Sequence, residues 1–122
     1  MKKCMALLAV LAVAGGSIYA GVGAAATHTK KPIVITVTAT DFHFAFKPKV
    51  KYKHGVKYTF KLVNKGAALH NFDIQGIKAT KIISPGKTVS MTVTFKKAGK
   101  YPYLCDVPRH AELGMAGTLK VS

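Results

Sequence analysis
The sequence predicts an all-β sandwich or barrel, and three observations predict it. Apolar and polar residues alternate with period two in run after run. Gly, Pro and Asn turn signals punctuate those runs at about the eight- to twelve-residue rhythm of a sandwich or barrel. No window long enough for a sustained helix carries a 3.6-residue period, and only Gln75 to Ile83 is ambiguous.

Residues 1–26 stand apart from that pattern. Lys2 and Lys3 give a basic start, Met5 to Val13 an apolar block, and Ala24-Ala25-Ala26 a small-residue ending. These are the three parts of a secretory signal peptide, cut after Ala26. Retained, the stretch would be a membrane anchor, since Met5 to Ala26 runs without a charge for about the 20 residues a span needs. Gly15, Gly16, Gly21 and Gly23 weaken the anchor reading, and Cys4, ahead of the apolar block, is discarded with the signal. Export places the protein in the periplasm or otherwise outside the cytoplasm. Residues 27–122 then form one small domain.

Within that domain, Thr27 to Pro32 reads as a loose leader. Period-two alternation then begins: Ile33, Ile35, Val37 and Ala39 share one face of a half-buried strand, with Val34, Thr36, Thr38 and Thr40 on the other. Val56, Tyr58, Phe60 and Leu62 make the next such face, and Val89, Met91, Val93 and Phe95 a third. Shorter apolar pieces at Leu69 to Ile74, Tyr101 to Cys105 and Gly117 to Val121 bring the total to about seven strands. The turns between them are Lys53-His54-Gly55, Asn64-Lys65-Gly66, Ser84-Pro85-Gly86 and Ala98-Gly99. Phe42, Phe44, Phe46, Tyr101 and Tyr103 are read as filling the core or capping its end.

The formal net charge is +15, with four acidic residues in the whole chain. Such a charge favours anionic partners. Export and the absence of an arginine cluster argue against nucleic acid. The lysines are therefore read as a solvated surface that steers acidic partners to a monomeric protein.

Cysteine usage is sharper. Exported proteins usually pair their cysteines, yet residues 27–122 hold only Cys105. An unpaired Cys in an exported chain is a reactive thiol, an intermolecular partner or a metal-held thiolate. Cys105 opens the run CDVPRHAELGM, with four residues between Cys105 and His110 and four between His110 and Met115. Donors from one loop do not close a metal site alone. His70, following the Asn64-Lys65-Gly66 turn, is the candidate for the missing one. Two imidazoles, a thiolate and a thioether suit a copper ion that alternates between Cu(II) and Cu(I). Zinc accepts the same imidazole and thiolate but has no need of the thioether. His43 and His54 are read as surface residues.

His70-Asn71, the run YLCDVPRHAELGM and the closing AGTLKV together resemble the type 1 blue copper proteins, or cupredoxins. The resemblance covers essentially all of residues 27–122, and the spacing of the ligand loop is most similar to those of rusticyanin and auracyanin. It implies a cupredoxin-like Greek-key sandwich of seven to eight strands. It implies His70, Cys105 and His110 as strong copper ligands, Met115 as the weak axial one, and Asn71 as the residue tying the two ligand-bearing segments together. It implies that the His110 ring edge passes the electron, amid a docking patch of Pro108, Arg109, Ala111, Leu113 and Gly114. Arg109 departs from the family, which commonly has Gly before the loop His. Arg109 either strains a turn that needs positive φ or sets a charge beside the electron port.

The function this implies is a periplasmic one-electron carrier that meets redox proteins bearing an acidic docking face. A copper-handling protein for tolerance or delivery is the alternative. An enzyme is not expected, because one closed site leaves no open position for substrate.

Overall fold
The computed structural model describes residues 30–122, so the export segment 1–26, with Cys4, lies outside the described residues. Eight strands follow in order: β1 Ile33–Thr40, β2 His43–Lys47, β3 Lys57–Asn64, β4 Asp73–Ile74, β5 Lys78–Ala79, β6 Thr88–Thr94, β7 Gly99–Leu104 and β8 Ala116–Val121. Among the described residues none is helical. The strands form two four-stranded sheets, one ordered β2-β1-β3-β6 and the other β5-β4-β7-β8. β1 pairs with β2 in antiparallel fashion on one side and with β3 in parallel on the other. This non-sequential order is the expected Greek-key sandwich.

Alternation builds the core. Ile35, Val37 and Ala39 of β1, Tyr58, Phe60 and Leu62 of β3, and Met91 and Val93 of β6 all turn inward and are buried. From the second sheet Ile74, Leu119 and Val121 meet them. Aromatic edges fill the space between: Phe72 contacts Phe44, Phe46, Phe60 and Tyr103 at centroid separations of 5.4 to 5.8 Å. The pairs with Phe44 and Phe46 are edge-to-face, a geometry that adds to the burial of their area.

Several elements differ from the sequence reading. β2 was not expected as a strand, because Pro48 and the lysines around it mask the alternation of Phe44 and Phe46. The expected strand from Leu69 to Ile74 shrinks to β4 and a single bridge between His70 and Ile83. The ambiguous segment from Gln75 resolves into a turn and the two-residue β5. The loop between the last two strands starts at Cys105 and ends at Met115, one residue earlier at each end than the pattern suggested.

The end of the sandwich at which β1 and β3 finish is fixed by one buried side chain. Asn64 donates through Nδ2 to the carbonyls of Ala68 and Ile83, at 2.8 and 3.0 Å, and its Oδ1 accepts from the Gly66 amide at 2.9 Å. The turn leading into His70 is thereby stitched to the segment that bridges it. Replacing Asn64 with Ala removes a partner from the Ala68 carbonyl and the Gly66 amide and leaves the Ile83 carbonyl with the His70 amide alone. Asn64→Ala is expected to lower unfolding free energy by about 2 kcal/mol, read from the urea midpoint at unchanged slope.

Candidate metal centre
Four side chains meet just beneath that end. His70 enters on the bridge segment beside β4. Cys105 follows the last residue of β7, and Met115 precedes the first of β8, so both are set by the β7–β8 ladder. The Cys105 amide donates to the Met115 carbonyl at 3.0 Å, closing the base of the loop. Inside it the chain coils through successive turns: the His110 amide donates to the Val107 carbonyl, and the Met115 amide donates to the His110 carbonyl, each at 3.1 Å. Met115 is therefore hydrogen-bonded by its backbone to both Cys105 and His110, and its side chain is fully buried.

The three strong donors form a triangle. His70 Nδ1 lies 3.2 Å from His110 Nδ1, and Cys105 Sγ lies 3.9 Å from His70 Nδ1 and 3.6 Å from His110 Nδ1. Among the described residues this is the one group of three His, Cys or acidic side chains gathered closely enough to hold an ion. Metal–nitrogen and metal–sulfur bonds of about 2.0 and 2.3 Å in a trigonal plane require edges of about 3.5 to 3.7 Å. The observed edges lie within about 0.3 Å of these.

Protonation is arranged to suit a cation. His70 Nε2–H donates to Asp41 Oδ1 at 2.7 Å, which turns Nδ1 toward the triangle. Asp41 is itself held by the Ala67 amide at 2.9 Å and the Ala68 amide at 3.3 Å. The Ala67 amide first, and His70 after it, keep the Asp41 carboxyl below the usual carboxylate range, so it stays ionised. Gly66 makes this fit possible: a Cβ there would lie 2.7 Å from His70 Nε2 and collide with Asp41 Oδ1. Burial, with His70 second, pushes His110 below its ordinary value, so that ring is neutral and free to ligate at neutral pH.

Asn71 pairs with Asp106. Its Nδ2 donates to Asp106 Oδ2 and its Oδ1 accepts from the Asp106 amide, both at 2.7 Å, joining segments 35 residues apart. The tie reaches the residue next to Cys105. Arg109 resolves the question its departure raised: its φ is +71°, the left-handed region that favours glycine. It is also exposed, so the strained backbone and the surface charge coexist. At Gly114, where φ is +120°, the position a Cβ would take lies 3.3 Å from the Phe42 carbonyl, so the loop closes where a side chain would crowd it. Pro108 and Leu113 are exposed and Ala111 is half-buried around His110, whose own exposure is 8%. Phe42 packs edge-on against the His110 ring at 4.8 Å, capping this end of the core. His43 and His54 are exposed and take no part in the triangle.

The model of the cupredoxin-like domain family matches residues 4–119. The chain belongs to the cupredoxin family. Among solved structures, the cupredoxin is similar to reduced auracyanin from Roseiflexus castenholzii, at 23% identity and a TM-score of 0.60 over 76% of this chain and 98% of that one. It is similar to auracyanin A of Chloroflexus aurantiacus, at 22% identity and a TM-score of 0.62 over 75% and 99%. Of curated proteins, a copper-resistant cuproprotein of Pseudomonas aeruginosa is 40% identical over 40 residues, covering 33% of this chain and 22% of that protein. Subunit 2 of the cytochrome c oxidase of Thermus thermophilus is 28% identical over 94 residues, 74% of this chain and 67% of the subunit. The chain thus spans about a fifth of the first relative and two thirds of the second. With the family, the buried triangle and Met115, the cofactor is copper at a single type 1 site.

Asp41 is the functional residue that sequence reading missed. It stands 29 positions from His70, in a turn after β1, and nothing in the spacing links the two.

Two substitutions separate these contributions. Arg109→Gly relieves a left-handed Arg and is expected to raise the stability of the metal-free protein by about 0.5 to 1 kcal/mol, seen as a higher urea midpoint. Asp41→Asn keeps an acceptor for His70 but removes its charge, and is expected to weaken Cu(II) binding about 10- to 100-fold in competition with a chelator of known affinity.

Proposed function
We propose that this cupredoxin is an exported, periplasmic one-electron carrier. His70, Cys105 and His110, with the thioether of Met115, would hold the copper ion, which would supply one-electron exchange between Cu(II) and Cu(I). The observation that carries the reading is the preassembled triangle of donors: three buried side chains already stand at ligand spacing and are locked by Asn71, Asp41 and the β7–β8 ladder. Ligands fixed in this way rearrange little when charge changes, which favours fast electron exchange.

The chain's own residues also supply a route. His110 is the most exposed of the four donors, at 8%, while the others lie deeper. Pro108, Ala111, Leu113 and Gly114 surround it with a small apolar rim, and Leu113 is 59% exposed. Contacts of that size suit transient redox encounters. Arg109 offers an acidic partner one fixed positive charge beside the port. The domain works as a monomer.

The closed, buried donor set favours a carrier over an enzyme. Copper tolerance or delivery is the second reading, favoured by the likeness to the copper-resistant cuproprotein.

Visible absorption during redox cycling tests the proposal. The Cu(II)-loaded protein is expected to show an intense thiolate-to-copper band that bleaches with a mild reductant and returns with an oxidant, at constant copper content. Copper lost to a chelator on reduction would favour delivery instead, and Cys105→Ser is expected to abolish the band in folded protein.

A further inference from the structure
The four acidic residues of the chain all lie toward the metal end. Asp41 touches His70, Asp106 follows Cys105 and bonds Asn71, Glu112 is in the ligand loop, and Asp73 pairs in register with Leu104. The opposite end has none. There Lys49, Lys51 and Lys53 point outward at alternate positions while Val50 and Tyr52 turn in. The Tyr52 strand edge bridges Val121, and the Gly55 amide bonds the Phe95 carbonyl, so this lysine run is seated beside Lys96 and Lys97. Lys100 and Lys120 stand directly opposite each other on β7 and β8. Like charges so placed are destabilising, and among the described residues no side-chain carboxylate pairs with them. Lys57 starts β3 at the same end, and Lys30 and Lys31 lead into β1 there, since Ile33 pairs with Tyr58.

An eight-residue strand separates the two ends by about 25 Å at about 3.3 Å per residue. The screening length at physiological salt is about 8 Å, so the lysine pole acts independently of the electron port. An anion drawn to it is held at the end remote from His110.

We propose that this lysine pole docks on the anionic headgroups of a phospholipid bilayer and presents the copper end outward. Its composition fits lipid better than protein. Protein interfaces are depleted in Lys and enriched in Arg and aromatics, yet the sole arginine, Arg109, is at the far end. Exposed aliphatic side chains stand among the lysines instead. Ile33 and Val34 follow Lys30 and Lys31, and Ile77 lines a shallow cleft with Lys96 and Lys97. Lysines over headgroup phosphates with aliphatic side chains at the acyl boundary are the interfacial pattern. The chain also enters the domain at this pole, shortly after the uncharged stretch Met5 to Ala26. Whether or not that stretch is retained, the pole is the face turned to the membrane.

Co-sedimentation of the full chain with vesicles tests this, comparing phosphatidylcholine alone with a mixture one third phosphatidylglycerol. The readout is the excess bound to the anionic vesicles, which an apolar segment inserting in both does not produce. The excess is expected to fall steeply with salt. Each lysine near an anionic surface strengthens partitioning about fivefold, so the triple variant Lys51→Glu, Lys53→Glu, Lys97→Glu, which also adds three repelled charges, is expected to reduce the excess by at least about a hundredfold. The copper-end pair Lys65→Glu, Lys87→Glu is expected to leave it nearly unchanged. All five side chains are exposed, and unchanged thermal melting confirms folding of both variants. Equal binding to both vesicle types overturns the proposal, as does an equal loss in the two variants. Capture of soluble polyglutamate by the pole without any anionic-vesicle excess overturns it in favour of an acidic protein partner.

Discussion
The reciprocal pair between Asn71 and Asp106 is the constraint on which the metal centre depends. His70 and Cys105 belong to segments with no continuous ladder between them beyond the two pairs of β4 with β7. Left to that short ladder, the two donors would drift relative to each other. Two hydrogen bonds of 2.7 Å, one side chain to side chain and one side chain to backbone, fix both translation and twist at the point nearest the thiol. Because the acceptor of the first is a carboxylate, that bond is charge-assisted and stronger than a neutral one. Buried networks of this kind are valuable only when every member has a partner. Among the described residues no buried side-chain nitrogen or oxygen lacks one.

The same logic governs the other side of His70. Asp41 orients the ring from one nitrogen so that the other is free, and it is oriented in turn by two backbone amides. A side chain at position 66 would break that chain of contacts at its centre, since the space a Cβ needs is already filled by the pair. A neutral His110 completes the set because burial disfavours its charged form. Arg109 shows that the loop's path outranks local preference. The left-handed turn before His110 is retained with a residue that fits it poorly, so the path is dictated by where His110 must point.

Long strands and ligand spacing were legible in the sequence, whereas short strands and long-range polar partners were not. β1, β3 and β6 announce themselves because each has one face in the core and one in water, which is what period-two alternation records. β2 carries the same signal in Phe44 and Phe46, but it lies between a turn and Pro48 and is easily read as loop. β4 and β5, at two residues each, are too short for any periodicity. Cys105, His110 and Met115 lie on one loop, so their spacing is a local code. Asp41 and His70 meet only because β1 and β3 run in parallel and finish together. No local pattern contains that fact.

Charge was legible in amount and not in place. Composition gives +15 and suggests a general pull on anionic partners, but the fold sorts the charge along one axis. The carboxylates are drawn to the copper end because they have structural work there: Asp41 on His70 and Asp106 on Asn71. The lysines at the opposite end have no such partners and are tolerated even face to face, as Lys100 and Lys120 are. On the proposed reading, in which electrons pass through His110, an acidic molecule attracted to the remote end would sit about 25 Å from the port and compete for the encounter. Charge there would serve a contact meant to last, leaving the apolar rim and Arg109 for transient partners. Such a division between lasting and transient contacts would account for the two kinds of surface being kept apart.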